Sequence, residues 1–354
     1  MHIGIDCRFA SVYAGLGTYT RELVTALLPL LSQHDVTLFT RGPTVWLPSS
    51  HRNRVRVIDS PYAPYSLAEQ LEFPNIVQKS GIELFYATHF NVPLFLSVPF
   101  VCTVHDLILH RYPGSVSLLK RLAYRFVLRS SIKRAKFILT VSECTKSDLL
   151  RHYGQRVAAK THVVYPGVSP TFSPQSENEQ QRVRKQYSLS HPFLLYVGGC
   201  KEHKNVQTLI DAFTDAGLGE VELVLVASGR ECAGLQKRER IRFLTDVPTE
   251  HLPALYSAAA GSVTATLDEG FYLPGVEAMA SGCPVLATNV GAIPEVLGES
   301  ALLVEPSRTA LADGMRQLIS DTHSRSSDHA QKLRLHASLY SWDAAAVATR
   351  PLLV

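Results

Sequence analysis

The chain has 354 residues, long for one core and natural for two domains. Hydrophobic residues make up 46% and charged residues 19%, the balance of an ordinary globular protein, and no apolar run approaches the roughly 18 residues a membrane span needs. The net charge of +4 is too small to argue for a nucleic-acid partner, and the six scattered cysteines, with no CxxC pair, suggest reduced thiols rather than disulfides or a zinc site.

Met1 leads straight into an apolar strand, His2 to Asp6, with no charged or long apolar leader, so a cytoplasmic protein is expected. Gly15-Leu16-Gly17 precedes a helix, Tyr19 to Leu31, with Leu23, Leu27, Leu30 and Leu31 at helical spacing. Strand, glycine turn and helix open a nucleotide-binding α/β unit. Strands are predicted at Val36–Thr40, Arg54–Ile58, Leu84–Ala87 and Phe100–Val104, with a helix at Tyr65–Lys79. Thr88-His89 and His105-Asp106 follow strand ends, where open α/β sheets place ligands. Leu118 to Lys136 holds seven basic residues and no acid. Arg121, Arg125, Arg129 and Lys133, four apart, form a stripe on one helix face, with Leu119, Leu122, Phe126 and Val127 on another. An amphipathic basic helix suits an anionic membrane surface or a phosphorylated lipid; the other reading is a solvated face on a core helix. Strands at Phe137–Val141 and Val163–Tyr165 close this half.

Ser169 to Gln186 is rich in Ser, Pro, Gln and Glu, which predicts a linker with a short helix. The domains expected are 1–172, a linker at 173–190, 191–338, and a final helix at 339–354. The second half repeats the same grammar. Strands are predicted at Phe193–Val197, Glu222–Ala227, Ile241–Leu244, Ser262–Leu267 and Cys283–Thr288, and a helix at Gly275–Ser281. Two such halves predict an α/β protein with two Rossmann-like domains, parallel sheets and a cleft between them.

Glu269 and Glu277 lie eight residues apart across a loop with Gly270, Pro274 and Gly275. A helix N-terminus offers free N–H groups and partial positive charge, which suit a diphosphate. Glu277 can accept from the vicinal hydroxyls of a ribose, and Glu269 from sugar hydroxyls. Each glutamate alone would be read as a solvated or dipole-favoured acid; together, with the glycines, they favour a ligand. Lys204, where a strand turns into a helix, is the expected phosphate cation, while Lys201 and Arg230 read as surface residues. Thr20 stands where a GxGxxG fingerprint needs its last glycine, which counts against a nicotinamide oxidoreductase. No DxD or HExxH occurs, so no essential metal is expected.

Glu269-Gly270-Phe271-Tyr272-Leu273-Pro274-Gly275-Val276-Glu277-Ala278-Met279-Ala280-Ser281-Gly282 resembles the E-x7-E signature of retaining glycosyltransferases of family four, EGFGLPxxEAMACG. The resemblance extends to Gly15-Leu16-Gly17, Thr103-Val104-His105-Asp106, Val141-Ser142-Glu143, Tyr165-Pro166-Gly167-Val168, Tyr196-Val197-Gly198-Gly199 through Lys204-Asn205, and Ser341-Trp342-Asp343. It implies the GT-B fold, with the donor held mainly by the second domain and the last helix crossing back onto the first. It implies that Glu277 binds the ribose, Glu269 contacts the donor sugar, and the amides of Gly270, Phe271, Tyr272 and Leu273 hold sugar and phosphate. Lys204 would neutralise the diphosphate beside Gly199 and His203. Gly15 and Gly17 would reach it from the other domain, His105 would sit by the transferred sugar, and Phe243, Leu244 and Val247 would line the base. The expected activity is hexosyl transfer with retention, without metal, from a UDP-sugar such as UDP-glucose, with GDP-mannose next. The acceptor would be a polysaccharide or lipid-linked glycan, met at the inner membrane face through Lys120–Lys136. A non-catalytic nucleotide-sugar binder of the same fold is the alternative. The sequence departs from the signature at His203 for the usual Arg, at Gly199, and at Tyr272 for the second glycine, which places a ring beside the donor or acceptor pocket.

Overall fold

Short β-branched and aromatic runs separated by amphipathic stretches fold as parallel strands joined by helical crossovers. A computed structural model describes residues 1–12, 15–112, 116–227, 230–236, 238–321 and 326–354, with the side chains of 230 and 231 also outside the description. The chain divides into two units, Met1–Gly167 with Ser341–Val354, and Val168–Tyr340.

The first unit runs β1 (His2–Cys7), α1 (Gly15–Leu30), β2 (Asp35–Thr40), β3 (Arg56–Asp59), α2 (Leu67–Lys79), β4 (Leu84–Ala87), β5 (Phe100–Val104), α3 (Leu118–Arg134), β6 (Phe137–Thr140), α4 (Glu143–Tyr153) and β7 (Thr161–Val163). Its sheet is parallel in the order β3-β2-β1-β4-β5-β6-β7. Every residue of β4 and β5 is buried, as expected of central strands covered by helices on both faces.

The second unit runs α5 (Glu177–Gln186), β8 (Phe193–Val197), α6 (Val206–Ala216), β9 (Glu222–Val226), β10 (Ile241–Leu244), α7 (Leu252–Ala258), β11 (Gly261–Val263), α8 (Leu273–Ala280), β12 (Val285–Thr288), β13 (Leu302–Val304), α9 (Arg308–Ser320) and α10 (Ser327–Ala337). Its parallel sheet has the order β10-β9-β8-β11-β12-β13. Both sheets reverse direction of growth beside their first strand, between β1 and β4 and between β8 and β11. That reversal opens a crevice past the strands' C-terminal ends.

α11 (Trp342–Thr349) belongs to the first unit. The Trp342 ring meets the Tyr19 ring edge-on at 5.8 Å, and Arg350 Nε donates to the Leu30 carbonyl at 3.0 Å. Gly167 makes this crossing possible, because a Cβ there would lie 2.1 Å from the Trp342 nitrogen.

Three features differ from the sequence reading. Residues 173–190, expected as a linker with a short helix, carry that helix, but it is part of the second unit: Val183 is fully buried, and Arg184 Nη2 donates to the Ala258 carbonyl at 2.8 Å. The strand expected at Ser262–Leu267 stops at Val263, and Leu267 N–H donates instead to the His203 carbonyl at 2.7 Å. Cys200 and Cys232, expected as thiols, form a disulfide, while Cys7, Cys102, Cys144 and Cys283 remain thiols.

Candidate active site

In the second unit the segments following β8 and β11 meet at the strand-order reversal. After β8 the chain makes a single 3-10 turn, Glu202–Lys204, then passes through Asn205 at φ 52° before α6 begins. The His203 carbonyl accepts from Leu267 N–H and, at 3.1 Å, from Thr266 Oγ1, which pins the two segments together. Lys204 Nζ lies 2.5 Å from Glu269 Oε1, with the side chains 22% and 11% exposed. Two residues 65 apart in sequence therefore form a half-buried ion pair in the crevice. Glu269 is fixed from behind: its carbonyl accepts from Ala292 N–H at 3.0 Å, and a Cβ at Gly291 would sit 2.6 Å from that carbonyl oxygen.

α8 begins at Leu273, two residues earlier than the sequence suggests, with Pro274 in its first turn. Glu277 is thereby in the second turn, not the first, and is 8% exposed on the buried side of the helix. Tyr272, the residue before the helix, is left-handed at φ 80° and ψ 60°. Glycine adopts this conformation freely, and the family signature has glycine here.

The Tyr272 ring, expected beside a ligand pocket, turns into the unit and is 6% exposed. Its hydroxyl bonds to the Thr264 and Ser262 hydroxyls, and burial, then Glu269, pushes the phenol up, so it stays protonated. A Cβ on Gly275 would lie 2.6 Å from the Tyr272 ring, so this glycine answers that tyrosine. Phe271 is also turned inward, edge-on to Tyr340 at 5.3 Å. The loop from Gly270 to Leu273 thus offers backbone rather than side chains to a ligand.

Gly199 has nothing within 4 Å of where a Cβ would be, and its carbonyl accepts from Tyr196 Oη at 2.5 Å. Lys201 is exposed and His203 half-buried; the side chain of Arg230 lies outside the described residues. Phe243 packs against the core cluster that includes Leu223 and Leu225. Leu244, the last residue of β10, and Val247 are half-buried, with Asp246 between them at φ 54°. Lys204, Glu269 and the start of α8 are therefore gathered at one point, while Phe243 is committed to the core.

In the first unit Gly15 and Gly17 form the first turn of α1 rather than a loop before it. A Cβ on Gly17 would strike the Val12 carbonyl oxygen at 1.8 Å. Past β5, His105 Nε2 donates to the Thr88 carbonyl at 2.8 Å, since a carbonyl can only accept. Its ring stands edge-on to Tyr19 at 4.5 Å and stacks on His89 at 5.8 Å. Burial lowers its pKa, against the raising effects of the Thr88 carbonyl and Asp106. The ring is neutral at pH 7, with Nδ1 unprotonated and able to accept.

Sequence reading did not single out Arg8, Asp6, Glu69 and Asn91, which form a buried polar network beneath His89 and Tyr65. Their sequence signal was weak: Asp6 and Arg8 lie at the end of an apolar strand, Asn91 lies past another, and Glu69 is in a helix.

Two family profiles match this chain: one described as Glycosyl transferases group 1 over residues 191–321, the other as Glycosyltransferase Family 4 over residues 13–172. The chain belongs to the family four glycosyltransferases. This glycosyltransferase is 29% identical to the O-antigen chain mannosyltransferase RfbU of Salmonella typhimurium, over 75% of its own length and 71% of the relative's. It is 32% identical to O-antigen chain mannosyltransferase B of Escherichia coli over 61% of its length, spanning 60% of that relative. Sucrose-phosphate synthase of Thermosynechococcus elongatus shares its GT-B fold with a TM-score of 0.80 and 23% identity, covering 99% of this chain and 98% of the other.

Proposed function

We propose that this glycosyltransferase moves a hexose, with retention, from a nucleotide-diphosphate sugar to a hydroxyl of a growing polysaccharide or lipid-linked glycan. The Lys204–Glu269 pair at the ends of β8 and β11 carries this reading. An entering diphosphate offers Lys204 a doubly charged partner, which frees Glu269 to accept from hydroxyls of the transferred sugar. The backbone from Gly270 to Leu273 holds sugar and phosphate, and Glu277 accepts from the ribose.

In the transfer the bond from the anomeric carbon to the phosphate oxygen breaks, and a bond to the acceptor oxygen forms on the same face. The acceptor proton goes to the departing phosphate. Lys204 works by stabilising the negative charge that develops there. His105, in the first unit, is neutral with Nδ1 able to accept from a sugar hydroxyl.

The two mannosyltransferase relatives support mannose as the hexose, and so GDP-mannose ahead of a UDP-sugar. Exposed Leu119, Leu122 and Phe126 among the arginines of α3 support contact with an anionic membrane.

Radiolabelled GDP-mannose and UDP-glucose would be offered to the protein with lipid-linked glycan acceptors. Lys204→Ala and Glu269→Gln are each expected to lower transfer by about 100-fold or more. Undiminished turnover in both would remove the site. Nucleotide binding that persists without any transfer would leave a non-catalytic binder.

A further inference from the structure

The crevice of the first unit contains an assembly that donor chemistry does not use. Arg8 is fully buried. Its Nε and Nη2 donate to the Asp6 carboxylate at 2.8 and 2.7 Å, its Nη1 lies 2.8 Å from Glu69 Oε1, and its guanidinium sits 3.8 Å over the Phe73 ring. Glu69 also accepts from Asn91 Nδ2 at 2.9 Å and from Tyr65 N–H at 2.6 Å. Asn91 N–H donates to His89 Nδ1 at 3.1 Å, which leaves the ring proton on Nε2, 3.4 Å from Tyr65 Oη. His89 is wedged between Phe9 and Phe90, with ring centres 4.9 and 4.2 Å away.

All of this converges on Tyr65. Its backbone is left-handed at φ 67°, a costly conformation for a tyrosine, yet the residue is 60% exposed. Burying one arginine and two carboxylates is also costly. Neither cost is needed to close a core, and both act to hold an aromatic ring at the surface with its hydroxyl turned to His89. Glu69 and Asp106 add to burial in raising the phenol, so the hydroxyl remains a donor.

We propose that Tyr65, posed over His89, is the specificity-determining face for the acceptor, and that it takes a neutral pyranose rather than a phosphorylated sugar. An aromatic face with one hydroxyl suits the mixed apolar and hydroxyl surface of a sugar ring. The arginine that a phosphate would want is locked beneath by Asp6 and Glu69. The inference rests on the glycosyl-transfer reading above.

The test is saturation-transfer NMR on the full chain with methyl α-mannopyranoside, methyl β-galactopyranoside and glucose 6-phosphate. It is run on the wild type, Tyr65→Phe and Tyr65→Gly, and glycine fits φ 67° without strain. At least one neutral glycoside is expected to saturate in the wild type and in Tyr65→Phe, and to lose about fivefold or more in Tyr65→Gly. Thermal melting of Tyr65→Gly should be unchanged or raised, which a merely structural tyrosine would not give. Equal saturation in wild type and Tyr65→Gly, no saturation by either glycoside, or stronger saturation by glucose 6-phosphate would overturn the proposal. Thermal shift with GDP and UDP on the same samples reads the transfer function separately. Glycoside binding lost at Tyr65→Gly, without any nucleotide shift, would keep the platform and remove the transferase reading.

Discussion

Tyr272 holds a left-handed backbone that costs a tyrosine about 1–2 kcal/mol. Burial of its ring returns roughly 1.5–3 kcal/mol, and its hydroxyl is satisfied by Ser262 and Thr264. The ring occupies the space that a side chain at Gly275 would need. Gly275→Ala alone should therefore destabilise by about 1–3 kcal/mol through overpacking. In a Tyr272→Gly background the same change should be neutral or stabilising, because alanine favours a helix interior. Urea unfolding of the four proteins measures the coupling. An additive cycle would mean that the glycine does not answer the tyrosine. The glutamate spacing around this loop was legible in sequence, since the motif is local. The inward turn of Tyr272 was not, because it depends on the hydroxyls of Ser262 and Thr264, in and just past β11, and on a glycine in the first turn of α8.

The elements after β4 and β5 carry histidines kept neutral by their surroundings. Burial, then His105, lowers the His89 pKa well below its ordinary value; burial lowers His105, and burial with His152 lowers His110 to about 4. The unfolded chain protonates these rings near pH 6.5, the folded one only lower, so the unfolded state binds more protons between. Their contribution is complete above about pH 6.5 and is lost as pH falls toward 4. For His89, the most enclosed, the slope approaches about 1.4 kcal/mol per pH unit. Denaturant unfolding at pH 7, 6 and 5 should show this decline, and His89→Gln should flatten it; a flat profile in the wild type would contradict it.

In α3 the period of the helix was legible but its inner face was not. Tyr124, Leu128 and Ile132 are buried, whereas Leu119, Leu122 and Phe126 are 78%, 54% and 62% exposed. Of the four apolar residues named from sequence, three thus lie outside, beside exposed Arg125, Arg129 and Lys133, and Val127 is half-buried. Sequence periodicity finds apolar positions but not which of them the sheet covers. Flotation with phosphatidylglycerol vesicles should carry the protein, less so in high salt, since each basic residue near such a surface contributes about 1 kcal/mol. Leu122→Ser with Phe126→Ser, or Arg125→Glu with Arg129→Glu, should abolish flotation. Equal flotation of all variants would dismiss the helix as the contact.

At the scale of the molecule, the two sheets share the order of their first six strands, with β7 added to the first sheet, and the alternation of apolar runs with helical stretches made that repetition readable. The allotment of residues 168–190 to the second unit was not readable, since it depends on Arg184 reaching the Ala258 carbonyl. Nor was the disulfide, because Cys200 and Cys232 are 32 residues apart and only the placing of the turns after β8 and β9 brings them together. Cys200 directly follows Gly199, so the bridge ties the segment that leads to Lys204 to its neighbour. Closing a loop of this size stabilises by about 3–4 kcal/mol in the chain-entropy account. Reduction, or Cys232→Ser, should then lower the melting temperature of the second unit by roughly 6–15 °C. The first unit should melt unchanged, because its cysteines are thiols and not part of the bridge. Alkylation of the unfolded, unreduced protein should label four of the six cysteines, and prior reduction should label all six. Six labels without reduction, from protein purified in air, would mean that the pair stays as thiols and that the segment leading to Lys204 is held by its hydrogen bonds, those at the Gly199 and His203 carbonyls among them.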